Sequence, residues 1–214
     1  MNETLLAACD RLFQYPSIPP PRRHGPRGYA DYQFYKPWLR DEFAFRCIYC
    51  LWRERWQADG QHGFSVDHVQ AQGIQPAQRL DYENMVYACN LCNSTRREVP
   101  LPIDSSSDSP GHYLRILPDG TVQGTGPAGA DLIEICRLNR PLLVAARRRI
   151  SNLVALLRNS NSPEALEALH DLLSLPSDLP NLAALRPPEG NARPGGVPDS
   201  FFERRRRDEI ADVY

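Results

Sequence analysis

The chain has 214 residues, 42% hydrophobic and 24% charged, long enough to bury a core without disulfide staples. Twenty-five basic side chains against twenty-six acidic ones give a formal net charge of −1, which lacks the basic excess of a typical nucleic-acid binder but leaves room for clustered charge. No apolar stretch is long enough to span a bilayer and no basic run precedes the short apolar one near Met1, so no membrane segment or signal peptide is expected and a cytoplasmic location is.

In chain order, Leu5, Leu6, Leu12 and Phe13 give a short N-terminal helix, and Pro19-Pro20-Pro21 with Arg22-Arg23 an extended basic linker. Lys36-Pro37 opens a helix at Pro37 that delivers the chain to Cys47. Phe64-Ser-Val-Asp-His-Val69 alternates as a half-buried strand does, and Asp81-Tyr-Glu-Asn84 reads as a turn or short helix before the apolar Met85-Val-Tyr-Ala88. Asn93-Ser-Thr is expected to cap a helix through Arg96-Arg97-Glu98 that stops before Pro100. A β-hairpin over residues 114–122 turns at Asp119-Gly120. Helices follow over residues 130–138, 141–158 and 162–175, the second with a core stripe of Leu143, Ile150, Leu153 and Leu157. Beyond Pro176 the Pro, Gly and Asn content predicts a loosely packed tail before a charged terminal helix over residues 201–214. The boundaries read 1–28, 29–100, 101–175 and 176–214.

Four of the six cysteines form two CxxC pairs, Cys47-Ile-Tyr-Cys50 and Cys89-Asn-Leu-Cys92, while Cys9 and Cys136 stand alone. A tight turn supplies two thiolates at once, so paired CxxC elements point to tetrahedral structural zinc rather than to a disulfide framework. Between the pairs lie Asp67-His68 and Asn84, and Asn93 follows the last cysteine directly.

This order, CxxC … DH … N … CxxCN over residues 45–97, resembles the HNH endonuclease family. The resemblance implies an α+β fold: a zinc-stapled ββα-metal core within residues 29–100, followed by an α-helical C-terminal extension. It places His68 at the general base, Asp67 and Asn93 at one catalytic divalent metal, Mg²⁺ or Mn²⁺, and Asn84 at a brace for the loop over the site. Arg96 and Arg97 fall where a phosphate-contacting cation is expected. DNA is the implied substrate, no membrane is implied, and some relatives act in phage defence with a partner protein such as an ATPase.

Those residue types suit phosphodiester hydrolysis. An attacking water needs a base near neutral pH, which imidazole can be, and a hard cation accepts carboxylate and amide oxygens. His62, in a Gly-rich loop, is the rival base. Arg22-Arg23, Arg27 and Arg147 to Arg149 are candidates for positive DNA-binding surface. The competing reading is a catalytically silent zinc module that binds nucleic acid or a partner protein, for which Asp67, His68 and Asn93 together are not needed.

Overall fold

The computed structural model describes residues 3–18, 22–103, 108–160 and 162–213; the proline run Pro19 to Pro21 and the C-terminal Tyr214 lie outside them. Helix α1, Glu3–Asp10, leads the chain, and α2, Lys36–Glu42, begins with Pro37 in its first turn and buries Trp38 and Leu39. Ala44 and Phe45, at φ 48° and 56°, then reverse the chain into the first CxxC element. That element closes as a knuckle: Leu51 N–H donates to Cys47 C=O at 3.0 Å and Cys47 N–H to Trp52 C=O at 2.9 Å.

Strand β1, Phe64–His68, pairs antiparallel with β2, Met85–Cys89, in a register that sets Val66 opposite Tyr87 and His68 opposite Met85. Every residue of β2 is buried, so the strand is gripped on both faces. Helix α3, Asn90–Arg96, follows with no intervening turn. The helix therefore starts three residues before the expected cap. Cys89, extended at φ −68° and ψ 146°, holds the N-cap position, and Asn93 lies inside the helix. Arg97, at φ 56°, ends it.

Strands β3, Leu114–Ile116, and β4, Val122–Gly124, form the expected hairpin. The Asp119 carboxylate accepts from the backbone N–H and the hydroxyl of Thr121, and Gly120 takes φ 87° against the Val144 carbonyl, a place with no room for a Cβ. Helices α4, Gly126–Ile135, α5, Pro141–Arg158, and α6, Pro163–Leu173, follow. The buried stripe of α5 is Leu143, Arg147 and Val154, while Leu153 is 39% exposed. An arginine takes a core position because its guanidinium caps the carbonyls of Gly120 and Leu138, so a purely apolar stripe misplaces the helix face.

Two cores result. The larger joins β1, β2 and the cysteine knuckle to the β3–β4 hairpin; the smaller packs α1 against α5 and α6 through Leu5, Leu12, Val154 and Leu169. Residues 176–200 are docked, not loose. Leu182 is 1% exposed within the larger core. Arg27 N–H donates to Gly190 C=O at 2.9 Å, and Ala192 N–H to Gly25 C=O at 2.7 Å. Isolated anchors and backbone pairing hold this segment, and neither leaves an apolar periodicity to be read from composition. The terminal helix α7 spans only Phe201–Arg206, with Phe201 edge-on to Phe45 at 5.3 Å.

Candidate active site

The four CxxC sulfurs converge, all within 4.8 Å of one another and all buried. Four thiolates around a tetrahedral zinc stand about 3.8 Å apart, given about 2.3 Å Zn–S bonds. Cys50 Sγ and Cys89 Sγ are 3.7 Å apart. Arg140 Nη2 donates to Cys92 Sγ at 3.4 Å, a cation suited to a thiolate cluster of net negative charge. The donor set fits structural zinc, which would tie the knuckle after α2 to the junction of β2 and α3.

His68 is the last residue of β1 and is 4% exposed. Its Nε2 lies 2.9 Å from the Arg79 carbonyl and its Nδ1 3.0 Å from the Gln72 side-chain nitrogen. A carbonyl only accepts and an amide nitrogen only donates, so the proton sits on Nε2 and the lone pair on Nδ1. Burial pushes the imidazole below its ordinary pKa of 6.5, against the opposing pull of the Arg79 carbonyl and of Asp67. Tyr32 packs edge-on to the ring at 5.0 Å.

Asp67 points to the other face of β1, toward α3. Its Oδ1 accepts from Arg96 Nη1 at 2.7 Å and from the His68 backbone N–H at 2.8 Å; its Oδ2 accepts from the Tyr49 hydroxyl at 2.6 Å. Burial, then the Asp67 charge, hold the Tyr49 hydroxyl far above its usual pKa, so it stays a donor. Among the described residues Asp67 joins no cluster of metal-ligating side chains. Three protein donors already bond its oxygens and the residue is 5% exposed, so a divalent cation on Asp67 would require these contacts to rearrange.

Arg96, expected at phosphate, is instead buried, at 1% exposure. Besides Asp67 it reaches the carbonyls of His68 and Val69 at 2.7 and 2.6 Å. The reason is helical phase: starting α3 at Asn90 turns Arg96 back onto β1. Asn93, one turn earlier, donates to Ser65 Oγ at 2.8 Å and faces the same side of the strand. Arg97 is exposed, beyond the end of the helix.

Asn84 ties down the loop between the strands: its Oδ1 accepts from Gln70 N–H at 2.7 Å and its Nδ2 donates to the carbonyls of Gln70 and Gln78 at 3.0 and 3.3 Å. His62 lies in a 3₁₀ turn at Gly60–Gly63, where its carbonyl accepts from Asn90. The arginines expected to supply surface charge divide. Arg22 donates to the carbonyls of Glu83 and Met85, Arg23 pairs with Asp41, and Arg147 is fully buried, whereas Arg27, Arg148 and Arg149 are exposed. Sequence reasoning missed Tyr49, Gln72, Tyr32 and the Arg79 carbonyl. Only Gln72, four residues after His68, had a spacing that could have drawn attention to it.

Strands β1 and β2 followed by α3, with four converging cysteines and a histidine at the end of the first strand, form a ββα unit. Residues 47–98 match the family model described as HNH endonuclease, so this chain carries an HNH domain. Comparison with curated proteins and with solved structures gives no match. No helix among the described residues is long and apolar enough to cross a membrane.

Proposed function

We propose that the chain hydrolyses DNA phosphodiester bonds as an HNH endonuclease, with His68 as general base. The observation that carries this reading is the protonation geometry of His68. Its Nε2–H is anchored on a backbone carbonyl and its Nδ1 lone pair meets only the amide of Gln72. When that amide is displaced by water, Nδ1 takes the water's proton as its oxygen bonds to phosphorus and the P–O bond to one sugar oxygen breaks. That oxygen leaves as the strand end and takes a proton from solvent, and the Arg79 carbonyl steadies the imidazolium until it returns its proton to solvent. Exposed Arg97 is the candidate phosphate contact near this end of the domain.

The cysteine cluster holds zinc in a structural role. A second ion, Mg²⁺ or Mn²⁺, belongs to the family reading; buried Asp67 already accepts three protein hydrogen bonds, which would have to rearrange to hold it. The same engagement of Asp67 by Arg96, Tyr49 and the His68 N–H favours a second reading, a zinc module that binds without cutting. Cleavage of labelled plasmid and single-stranded DNA, with Mg²⁺ and Mn²⁺ titrated, separates the two. Cutting by the wild-type chain and a fall of about 10²–10⁴-fold in His68→Ala, with zinc content and fold retained, support the nuclease. No cutting under any metal supports the silent module, and an undiminished His68→Ala removes His68 from the mechanism.

A further inference from the structure

A cleft of about 530 Å³ opens between residues 25–30 on one side and residues 80–83 on the other, with His68 outside its lining. Two residues close in the chain to its lining touch His68. Tyr29 lines the cleft and Tyr32, three residues on, touches the His68 ring; Leu80 lines it and Arg79, one residue before, holds His68 Nε2. Tyr29, Tyr35 and Tyr82 line it, the last two buried at 2% and 5% exposure, and Phe34 flanks Tyr29 outside the lining. Tyr29 stands edge-on to Tyr35 at 5.0 Å and tilted on Phe34 at 5.7 Å, and Tyr35 meets Tyr82 at 5.7 Å. Phe34 is 61% exposed and Tyr29 half-buried, so these two rings are the ones open to a stacking base.

We propose that this cleft receives an unpaired base of the substrate strand, and that the enzyme therefore acts on single-stranded or locally unpaired DNA; this rests on the nuclease reading and narrows its substrate. The volume falls within the range of small-molecule sites and suits one nucleotide. Aromatic faces bind bases of any sequence by stacking, while bases inside a duplex keep their faces to one another and cannot enter. The charged lining is mixed, with Arg27 and Arg193 beside Asp81, Glu83 and Glu189. Donors and acceptors of both signs suit the hydrogen-bonding edge of a base better than a row of phosphates. The phosphate has its own cation: exposed Arg79 lies with its guanidinium 5.6 Å from the Tyr32 ring, next to His68.

The cleft is also preformed. Residues 25–27 pair through backbone hydrogen bonds with residues 189–192, and Gly28 at φ 85° lies so close to Glu189 that a Cβ there would meet its backbone at 2.7 Å. A rigid wall lowers the ordering cost of capturing a flexible strand.

The test is fluorescence anisotropy with the full-length, zinc-loaded His68→Ala chain, so that cutting does not enter the readout. The probes are a labelled thymidine strand of roughly 12 nucleotides, the same strand with one abasic position, and a duplex of equal length. The expected result is single-strand binding about tenfold tighter than duplex binding at equal salt, with Phe34→Ala and Tyr29→Leu each weakening the single strand by about fivefold or more and sparing the duplex. Phe34→Ala alters an exposed side chain, so its effect is separable from misfolding. Equal affinity for both probes, or a Phe34→Ala chain that binds like its parent, overturns the cleft, as does a tenfold preference for a matching RNA strand. A wild-type chain that never cuts, yet shows this aromatic-dependent preference, instead sinks the nuclease reading and leaves the cleft standing.

Discussion

Asp67 and His68 are neighbours in the chain but serve opposite faces of β1, and their environments divide their work. Arg96 bonds Asp67 and two strand-end carbonyls, with its side chain fully buried and that of Asp67 6% exposed. Removing one partner of such a pair leaves a buried charge uncompensated and costs about 3–5 kcal/mol. Asp67→Ala is therefore expected to lower thermal stability sharply, and added Mn²⁺ to restore neither stability nor cleavage. Rescue by Mn²⁺ in a chain that melts like wild type would instead make Asp67 a metal ligand. The pH profile belongs to His68. Its neutral form is the base, and burial lowers its pKa, so cleavage is expected to rise along an acidic limb lying below pH 6.5 and to be level by neutrality. A limb above pH 6.5 in a rate profile contradicts this. The motif picked out both residues from sequence, but their partners were illegible. Tyr49 and Arg96 are 18 and 29 residues from Asp67, and which face of a strand meets them is decided by packing.

Helix α3 has seven residues, and a helix that short is not stable alone. Cys89 at its N-cap and Cys92 in its first turn fasten it to the knuckle, so zinc, α3, Arg96 and Asp67 form one mechanical series. Purified protein is expected to keep about one zinc per chain through mild chelation. Cys89→Ser is expected to lose the zinc along with solubility or the cooperative thermal transition; metal analysis and melting curves read both. Folded protein without zinc counts against the staple. At this scale the sequence was most legible where one pattern repeats: the alternation of β1, the Asp119-Gly120 hairpin, and the bounds of α5 at Pro141 and Arg158. It misled where a polar residue took an apolar residue's place. Arg147 in the stripe of α5 hid the true face of that helix, and the Asn-Ser-Thr run resembled a cap although Cys89 occupies that position.

Across the whole molecule, the C-terminal forty residues belong to the body of the protein. Phe201 N–H donates to Asp41 Oδ1 at 2.7 Å, Asp178 pairs with the buried Arg40 at 2.9 Å, and Leu182 fills the main core. Limited proteolysis is expected to spare residues 176–200, and truncation before Asp178 to destabilise the HNH domain despite leaving residues 47–98 untouched. A truncated chain that melts at the wild-type temperature would show the docking to be dispensable. These anchors were not readable from composition, because each is a single residue, and Asp178 and Phe201 meet their partners more than a hundred positions away.

The pairing of residues 25–27 with residues 189–192 also sets an order of events in time. One wall of the cleft comes from the beginning of the chain and its brace from near the end, so the contact closes a loop of over 160 residues and is slow to form. On a ribosome the α2 segment and the cysteine knuckle emerge long before that brace exists. A nascent chain can thus assemble β1, β2 and α3 while the cleft walled by residues 25–30 stays unbraced. On the nuclease reading, the cleft gains its brace only once residues 189–192 have been made and folded back on residues 25–27.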